Sequence, residues 1–186
     1  MIKIGITGLI ASGKSTVAKI LSNRKYPIFD ADYEVKKIYK KNLFKKKIYK
    51  TFRVKTKQEI KRIVNNNPKK LIILEKIIHP LVRKELKNFV KRNKRKKLLL
   101  FDIPLLIESK LMSNFHSIIF VNCRKEIRKK RFQKKIKNKK LFNILDKRQL
   151  KPAKKIKLSN YVINNSFSFK ILKDNVKIIR ELILIS

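Results

Sequence analysis

The segment that most constrains this chain is Gly8-Leu9-Ile10-Ala11-Ser12-Gly13-Lys14-Ser15, which fits G-x-x-x-x-G-K-[ST]. Its context counts as much as its letters. Ile2-Lys3-Ile4-Gly5-Ile6-Thr7 is a β-branched run that predicts a buried strand, and from Ser15 onward Val17, Ala18, Ile20 and Leu21 fall at helical spacing. Strand, glycine-bounded loop and helix in that order aim successive backbone N–H groups at a phosphate, and the helix N-terminus favours the anion. In such a P-loop Lys14 reaches the β- and γ-phosphates of a nucleoside triphosphate, and the Ser15 hydroxyl ligates Mg²⁺.

The rest of the chain alternates strands with helices. Pro27-Ile28-Phe29 predicts a second strand, closed by Asp30-Ala31-Asp32, with a helix from about Tyr33 to Tyr39. Residues 42–96 are Lys-rich and helical in pattern; Pro68 is expected to start one helix and Pro80 another, carrying Leu81, Val82 and Leu86. Leu98-Leu99-Leu100-Phe101-Asp102 and Ser117–Asn122 are apolar runs typical of strands buried on both faces. Two basic helices follow from Lys125 to about Gln149, with a break near Asn138, then a short strand Tyr161-Val162-Ile163 and a helix from Phe169 to Ile183. The expected fold is α/β: a parallel five-stranded sheet flanked by helices, with a helical substrate-binding insertion and a helical lid. It forms a single domain over 1–186, with the core at about 1–40, 97–123 and 159–186, the insertion at 41–96 and the lid at 124–150.

The composition invites a different reading. Against 12 acids stand 52 basic residues, 41 of them Lys, giving a formal net charge of +40. Yet the charge is spread along the chain, and Lys, Ile (28) and Asn (15) are all residues of A/T-rich codons. Mutational bias therefore accounts for the charge better than a selected nucleic-acid surface does. Cys123 is alone, which excludes a disulfide framework, and with only His79 and His116 a Cys/His zinc site has too few ligands. No run of 18 apolar residues could span a membrane, so the chain is expected in the cytoplasm.

Several other residues have chemistry to offer. Asp30 and Asp32 close the second strand, and in an open parallel sheet the carboxyl ends of the strands face the ligand crevice. One acid suits the proton of an attacking hydroxyl and the other a water-held Mg²⁺, although either alone would also cap the following helix. Asp102 suits a metal-holding role at the end of an apolar strand, or a loop cap; Glu108 reads equally well as a solvated acid. His79 precedes Pro80 and should be held extended, with Arg83 in the first turns beyond it, placed to clamp a phosphate. Arg128, Lys129, Lys130, Arg131, Lys134 and Lys135 form a basic helix that is either a lid over transferring phosphate or a solvated face.

Taken in order, these segments resemble the dephospho-coenzyme A kinase family: the P-loop, Asp30-Ala31-Asp32, His79-Pro80-Leu81-Val82-Arg83, Asp102-Ile103-Pro104-Leu105-Leu106-Ile107-Glu108, the basic lid and Ser159–Asn165. The resemblance runs over nearly the whole chain. It implies ATP-dependent phosphorylation of the 3′-hydroxyl of dephospho-CoA, the last step of coenzyme A synthesis, with ATP and dephospho-CoA as small-molecule partners. It further implies Asp32 as the base, with Lys14 and Arg131 also catalytic. The ATP-binding stretch falls on Gly8 and on Ala11, Ser12, Gly13, Lys14, Ser15 and Thr16; Asp30, His79, Arg83, Asp102 and Leu105 fall on the acceptor side. A monomer is expected, with no specific nucleic acid and no membrane. Four positions depart from the pattern: Leu9 and Ala11 stand where Gly is usual, Lys135 where a second lid arginine is, and Asn160 where Asp is. A Cβ at Ala11 is strained if that residue needs positive φ. The stretch 41–59 lacks the family's Phe-Gly turn and Asp-Gly pair. The alternatives are a kinase for another acceptor, such as a nucleoside monophosphate, and a basic nucleic-acid-binding P-loop ATPase.

Overall fold

The computed structural model describes residues 1–137 and 139–185. In chain order the elements are β1 (Ile2–Gly8), α1 (Lys14–Ser22), β2 (Ile28–Asp30), α2 (Ala31–Ile38), α3 (Asn42–Phe52), α4 (Lys57–Asn66), α5 (Pro68–Arg92), β3 (Leu98–Asp102), β4 (Ser117–Asn122), α6 (Lys125–Lys135), α7 (Lys139–Lys147), α8 (Pro152–Lys157), β5 (Tyr161–Asn164) and α9 (Phe169–Ile185). They fall into two compact units, residues 1–30 with 93–186 and residues 31–92.

The first unit holds a five-stranded sheet, ordered β2-β3-β1-β4-β5, with every pairing parallel. The fold is thus the α/β arrangement expected. The apolar runs explain it: parallel strands covered on both faces have no polar side to alternate with, and all five residues of β3 are buried. On one face Ile4, Ile6, Leu98, Leu100, Ile119 and Val121 pack against Val17, Ala18 and Leu21 of α1 and Leu172 and Val176 of α9. Each Val, Leu or Ile among them, fully withdrawn from water, contributes about 2 kcal/mol. On the other face Phe101 meets Phe29 and Phe115, with ring centroids 5.9 and 5.1 Å away. Asn160 opens the last strand: its N–H donates to the Ile118 carbonyl and its Oδ1 accepts from the Ile118 N–H at 2.8 Å. A neutral amide oxygen serves for that pairing.

The second unit is helical. Ile38, Phe44, Ile48, Ile60, Leu74 and Ile77 form its core, with Tyr39 edge-on to Phe44 at 4.9 Å. The stretch without the expected Phe-Gly turn still folds. Arg53 takes the left-handed position that ends α3, at φ 56°, and its N–H donates to the Tyr49 carbonyl. A non-glycine residue there costs about 1 kcal/mol. Thr56 then caps α4 in a reciprocal box with Glu59.

One expectation fails. Pro80 does not start a helix; it lies inside the 25-residue α5, and His79 is helical rather than extended. Leu74, Ile77 and Ile78, buried just before the proline, anchor that turn to the unit's core. This apolar anchoring outweighs the hydrogen bond the proline ring cannot donate, and His79 and Pro80 are both exposed. In the lid segment the expected helix break falls between α6 and α7; Asn138 itself lies outside the described residues. Among those residues no helix is long and apolar enough to cross a membrane.

Candidate active site

The phosphate loop starts where β1 ends. Its turn closes with the Ser12 N–H donating to the Leu9 carbonyl at 3.1 Å. Gly13 is the N-cap of α1 at φ 94°, a region L side chains rarely adopt, and a Cβ there would collide with Asn165 Nδ2. Ala11, where Gly is usual, does sit at positive φ, 58°. The Thr16 and Val17 N–H groups both donate to the Gly13 carbonyl, at 3.0 and 3.1 Å, so α1 winds directly out of the loop and its N-terminus favours an anion there.

Two strand-end acids converge beside it. The Ser15 hydroxyl, in the first turn of α1, donates to Asp102 Oδ2 at 2.6 Å, and Asp102 is 4% exposed. Asp30 lies opposite Asp102 in the β2–β3 register. A hydroxyl and carboxylates are hard oxygen donors, the set Mg²⁺ prefers when phosphates and water complete its shell. Thr7, also buried, donates from Oγ1 to the Pro104 carbonyl at 3.0 Å and so positions the loop carrying half-buried Leu105.

The basic segment after β4 contributes two arginines in different ways. Arg131 on α6 donates from its guanidinium to the Ser12 carbonyl at 3.4 Å, which puts it at the loop. Arg128 is 3% exposed and therefore no solvated lid residue. Its guanidinium donates to the Cys123 and Ile10 carbonyls and to Asp146 Oδ1, the last at 2.6 Å, joining α6 to α7 and both to the phosphate loop. Lys135 is exposed at the end of α6.

Sequence reasoning missed three further supports. Gln149 accepts from the Ile10 N–H at 2.6 Å and donates to the Gly8 carbonyl at 3.4 Å, clasping the loop from outside. Asn165 Nδ2 donates to the Ser12 carbonyl at 2.7 Å. Lys155, fully buried, donates to Glu108 at 2.8 Å and to the Pro104 carbonyl at 3.3 Å, while Glu108 also accepts from the Leu150 N–H. Glu108 is thus no solvated loop acid. The one signal available was scarcity: an acid is rare among 52 bases, so one beside an apolar run merits a partner search.

The structure brings Gly8–Thr16, Asp30, Asp102 and Arg131 together in the first unit. Leu105 also lies in the first unit, while Asp32, His79 and Arg83 belong to the helical unit. Asp32 lies in the first turn of α2, two residues after Asp30, while His79 and Arg83 are exposed and one helical turn apart on α5.

Comparison with known proteins agrees with this geometry. A family model described as dephospho-CoA kinase matches residues 2–170. A dephospho-CoA kinase of Bartonella quintana is 35% identical over 170 residues, covering 87% of each chain. The crystal structure of TT1252 from Thermus thermophilus superposes with a TM-score of 0.82 at 28% identity over 97% of both chains. The dephospho-CoA kinase of Campylobacter jejuni does so with a TM-score of 0.69 at 27% identity, over 97% of this chain and 96% of that one. With its phosphate loop, its strand-end acids and this match over most of its length, the chain belongs to the dephospho-CoA kinase family and is a kinase.

Proposed function

We propose that the chain transfers the γ-phosphoryl group of ATP to the ribose 3′-hydroxyl of dephospho-CoA. The observation that carries this reading is the 2.6 Å hydrogen bond from Ser15 to Asp102, which joins the phosphate loop to the strand-end acid. Ser15 and Asp102, with Asp30 alongside, would hold Mg²⁺, which supplies positive charge against the β- and γ-phosphates. Lys14 and the loop amides bind the same phosphates, and Arg131 turns from the Ser12 carbonyl to the transferring group. The transition state is loose, so positioning and charge stabilisation do most of the work. Asp32 orients the 3′-hydroxyl and takes its proton as the new O–P bond forms and the bond to the departing ADP breaks. Asp30, His79, Arg83, Asp102 and Leu105 hold the acceptor. Both substrates are small soluble phosphates and one chain carries every group named, which supports a cytoplasmic monomer without a nucleic-acid partner.

The test is ADP release with and without dephospho-CoA, with phosphorus NMR on the product. Acceptor-dependent release and a new 3′-phosphate are expected. ADP release stimulated by RNA or DNA, with no response to dephospho-CoA, would overturn the reading.

A further inference from the structure

Among the described residues one lysine is buried, Lys155 on α8, and it is wholly withdrawn from water. Burying an ammonium beside a carboxylate gains little stability over an apolar pair of the same shape. What the ammonium holds therefore matters more than the charge it carries. Its Nζ donates to Glu108 Oε1 at 2.8 Å and to the Pro104 carbonyl at 3.3 Å. The same carbonyl accepts from Thr7 Oγ1 at 3.0 Å. Two buried side chains, one from β1 and one from α8, thus converge on a backbone oxygen two residues past Asp102.

These bonds close a circuit around the site. From Pro104 it runs through Lys155 to Glu108, whose Oε1 also accepts from the Leu150 N–H at 3.0 Å. Gln149, next in the chain, grips Gly8 and Ile10 of the phosphate loop. The loop returns through Ser15, 2.6 Å from Asp102, to the strand end from which Pro104 follows. Every link lies in the first unit. Lys155 is the brace across the segment Pro104–Glu108, tying its first residue to its last, with half-buried Leu105 between them. Without that brace Pro104 keeps Thr7 and Glu108 keeps Leu150, but the two anchor points are no longer joined.

Phosphoryl transfer through a loose transition state depends on in-line placement of acceptor and donor, and a misplacement of about 1 Å costs about 100-fold. We propose that Lys155 is a positioning residue for the transfer: acting through Pro104 and Glu108, it fixes the segment that carries Leu105, and with it the acceptor, against the phosphate loop. The proposal rests on the reading that Leu105 lies on the acceptor side.

Lys155→Met alone also strands Glu108, so the test uses Lys155→Met with Glu108→Gln, which removes both charges and leaves Pro104 unbraced. Thr7→Val removes the other donor to Pro104 at nearly constant volume. Val176→Ala, in the sheet core on α9, destabilises without touching the circuit. The readouts with dephospho-CoA are Tm, kcat, KM for ATP and the ADP released per 3′-phosphate formed. In the double variant kcat should fall about 10-fold or more, with KM for ATP held within about 2-fold. ADP should also exceed the 3′-phosphate formed, because water reaches a γ-phosphate that the displaced hydroxyl misses. Thr7→Val should move both readouts the same way, and Thr7→Ser, which keeps the donor, should not. Val176→Ala should keep the wild-type kcat and ADP ratio although its Tm falls. Wild-type values in the double variant, a rise in KM for ATP that matches the fall in kcat, or an equal loss in Val176→Ala overturns the proposal. Failure of the acceptor reading shows separately, as a wild type that dephospho-CoA does not stimulate. The brace is then read without turnover, by hydrogen exchange at the Leu106 and Ser109 amides, which donate to the Ile103 and Leu105 carbonyls. Faster exchange there in the double variant and in Thr7→Val, with β1 unchanged, keeps the proposal; unchanged exchange overturns it.

Discussion

Replacing Lys155 with Met tests the most consequential buried charge in the molecule. The side chain is 0% exposed, and its ammonium donates to Glu108 at 2.8 Å and to the Pro104 carbonyl at 3.3 Å. Met fills nearly the same volume, so packing is held and only the charge is lost. Glu108, 16% exposed at its side chain, then keeps the Leu150 N–H on Oε1, while Oε2 has no hydrogen-bond partner. Stranding one partner of a buried pair costs about 3–5 kcal/mol, and Glu108's residual exposure points to the low end, about 3 kcal/mol. For a chain of this size that lowers Tm by about 6–12 °C. Adding Glu108→Gln removes the stranded charge and should restore half or more of the loss. Urea and thermal melts of the two single variants and the double give the coupling directly. A loss below about 1 kcal/mol, or a double variant no better than Lys155→Met, would refute the reasoning. The pH dependence has a definite sign. Burial pulls the Lys155 ammonium below its usual value, and Glu108 only partly opposes this. In the window between that lowered value and the ordinary lysine value the unfolded chain binds more protons, so the Lys155 contribution to stability rises with pH; the Met variant loses that slope.

Three further outcomes are expected. Asp32→Asn is close to isosteric but cannot accept a proton, so kcat in the coupled ADP assay should fall about 100-fold with KM for ATP little changed; collapse of ATP binding instead would make Asp32 a metal or capping residue. Ala11→Gly relieves a side chain held at φ 58°, and with glycine's own entropy set against that relief the melt should show a gain of about 0.5 kcal/mol; destabilisation beyond 1 kcal/mol would show that the Cβ packs usefully. Gln149→Leu removes both clasps on the phosphate loop, so KM for ATP should rise about 5- to 10-fold at unchanged melting temperature, the equivalent of one modest hydrogen bond; an unchanged KM would leave Gln149 without a positioning role.

The parts of the fold that were legible share one property: their burial pattern is written in adjacent residues. The run Leu98–Phe101, closed by Asp102, reads as a strand because nothing polar interrupts it, and it is one. The same holds for Ile118–Val121 in β4, while β1 reads as a strand from its β-branched residues despite Lys3. The strand order is not local information, and no pattern in the sequence states that β2 pairs with β3 rather than with β1. At Pro80 local chemistry pointed the wrong way, because the buried residues holding α5 together face another element and not their neighbours. The helix Pro152–Lys157 went unseen for a related reason: Pro-Ala-Lys-Lys-Ile-Lys carries no apolar period. In the site, the phosphate loop was legible because its geometry demands glycine and lysine at fixed positions. The residues that brace it were not. Lys155 is one lysine among 41, and nothing beside it in sequence says that this one is inside.

The proline in the middle of α5 has a mechanical consequence. At that turn the rod lacks one of the struts that stiffen it elsewhere, so bending is cheapest there. His79 stands just before Pro80 and Arg83 three residues beyond it. A small flexure therefore changes the span between imidazole and guanidinium while both keep their own rotamers. The helix works as a pair of callipers, its jaws set by the angle at a single residue.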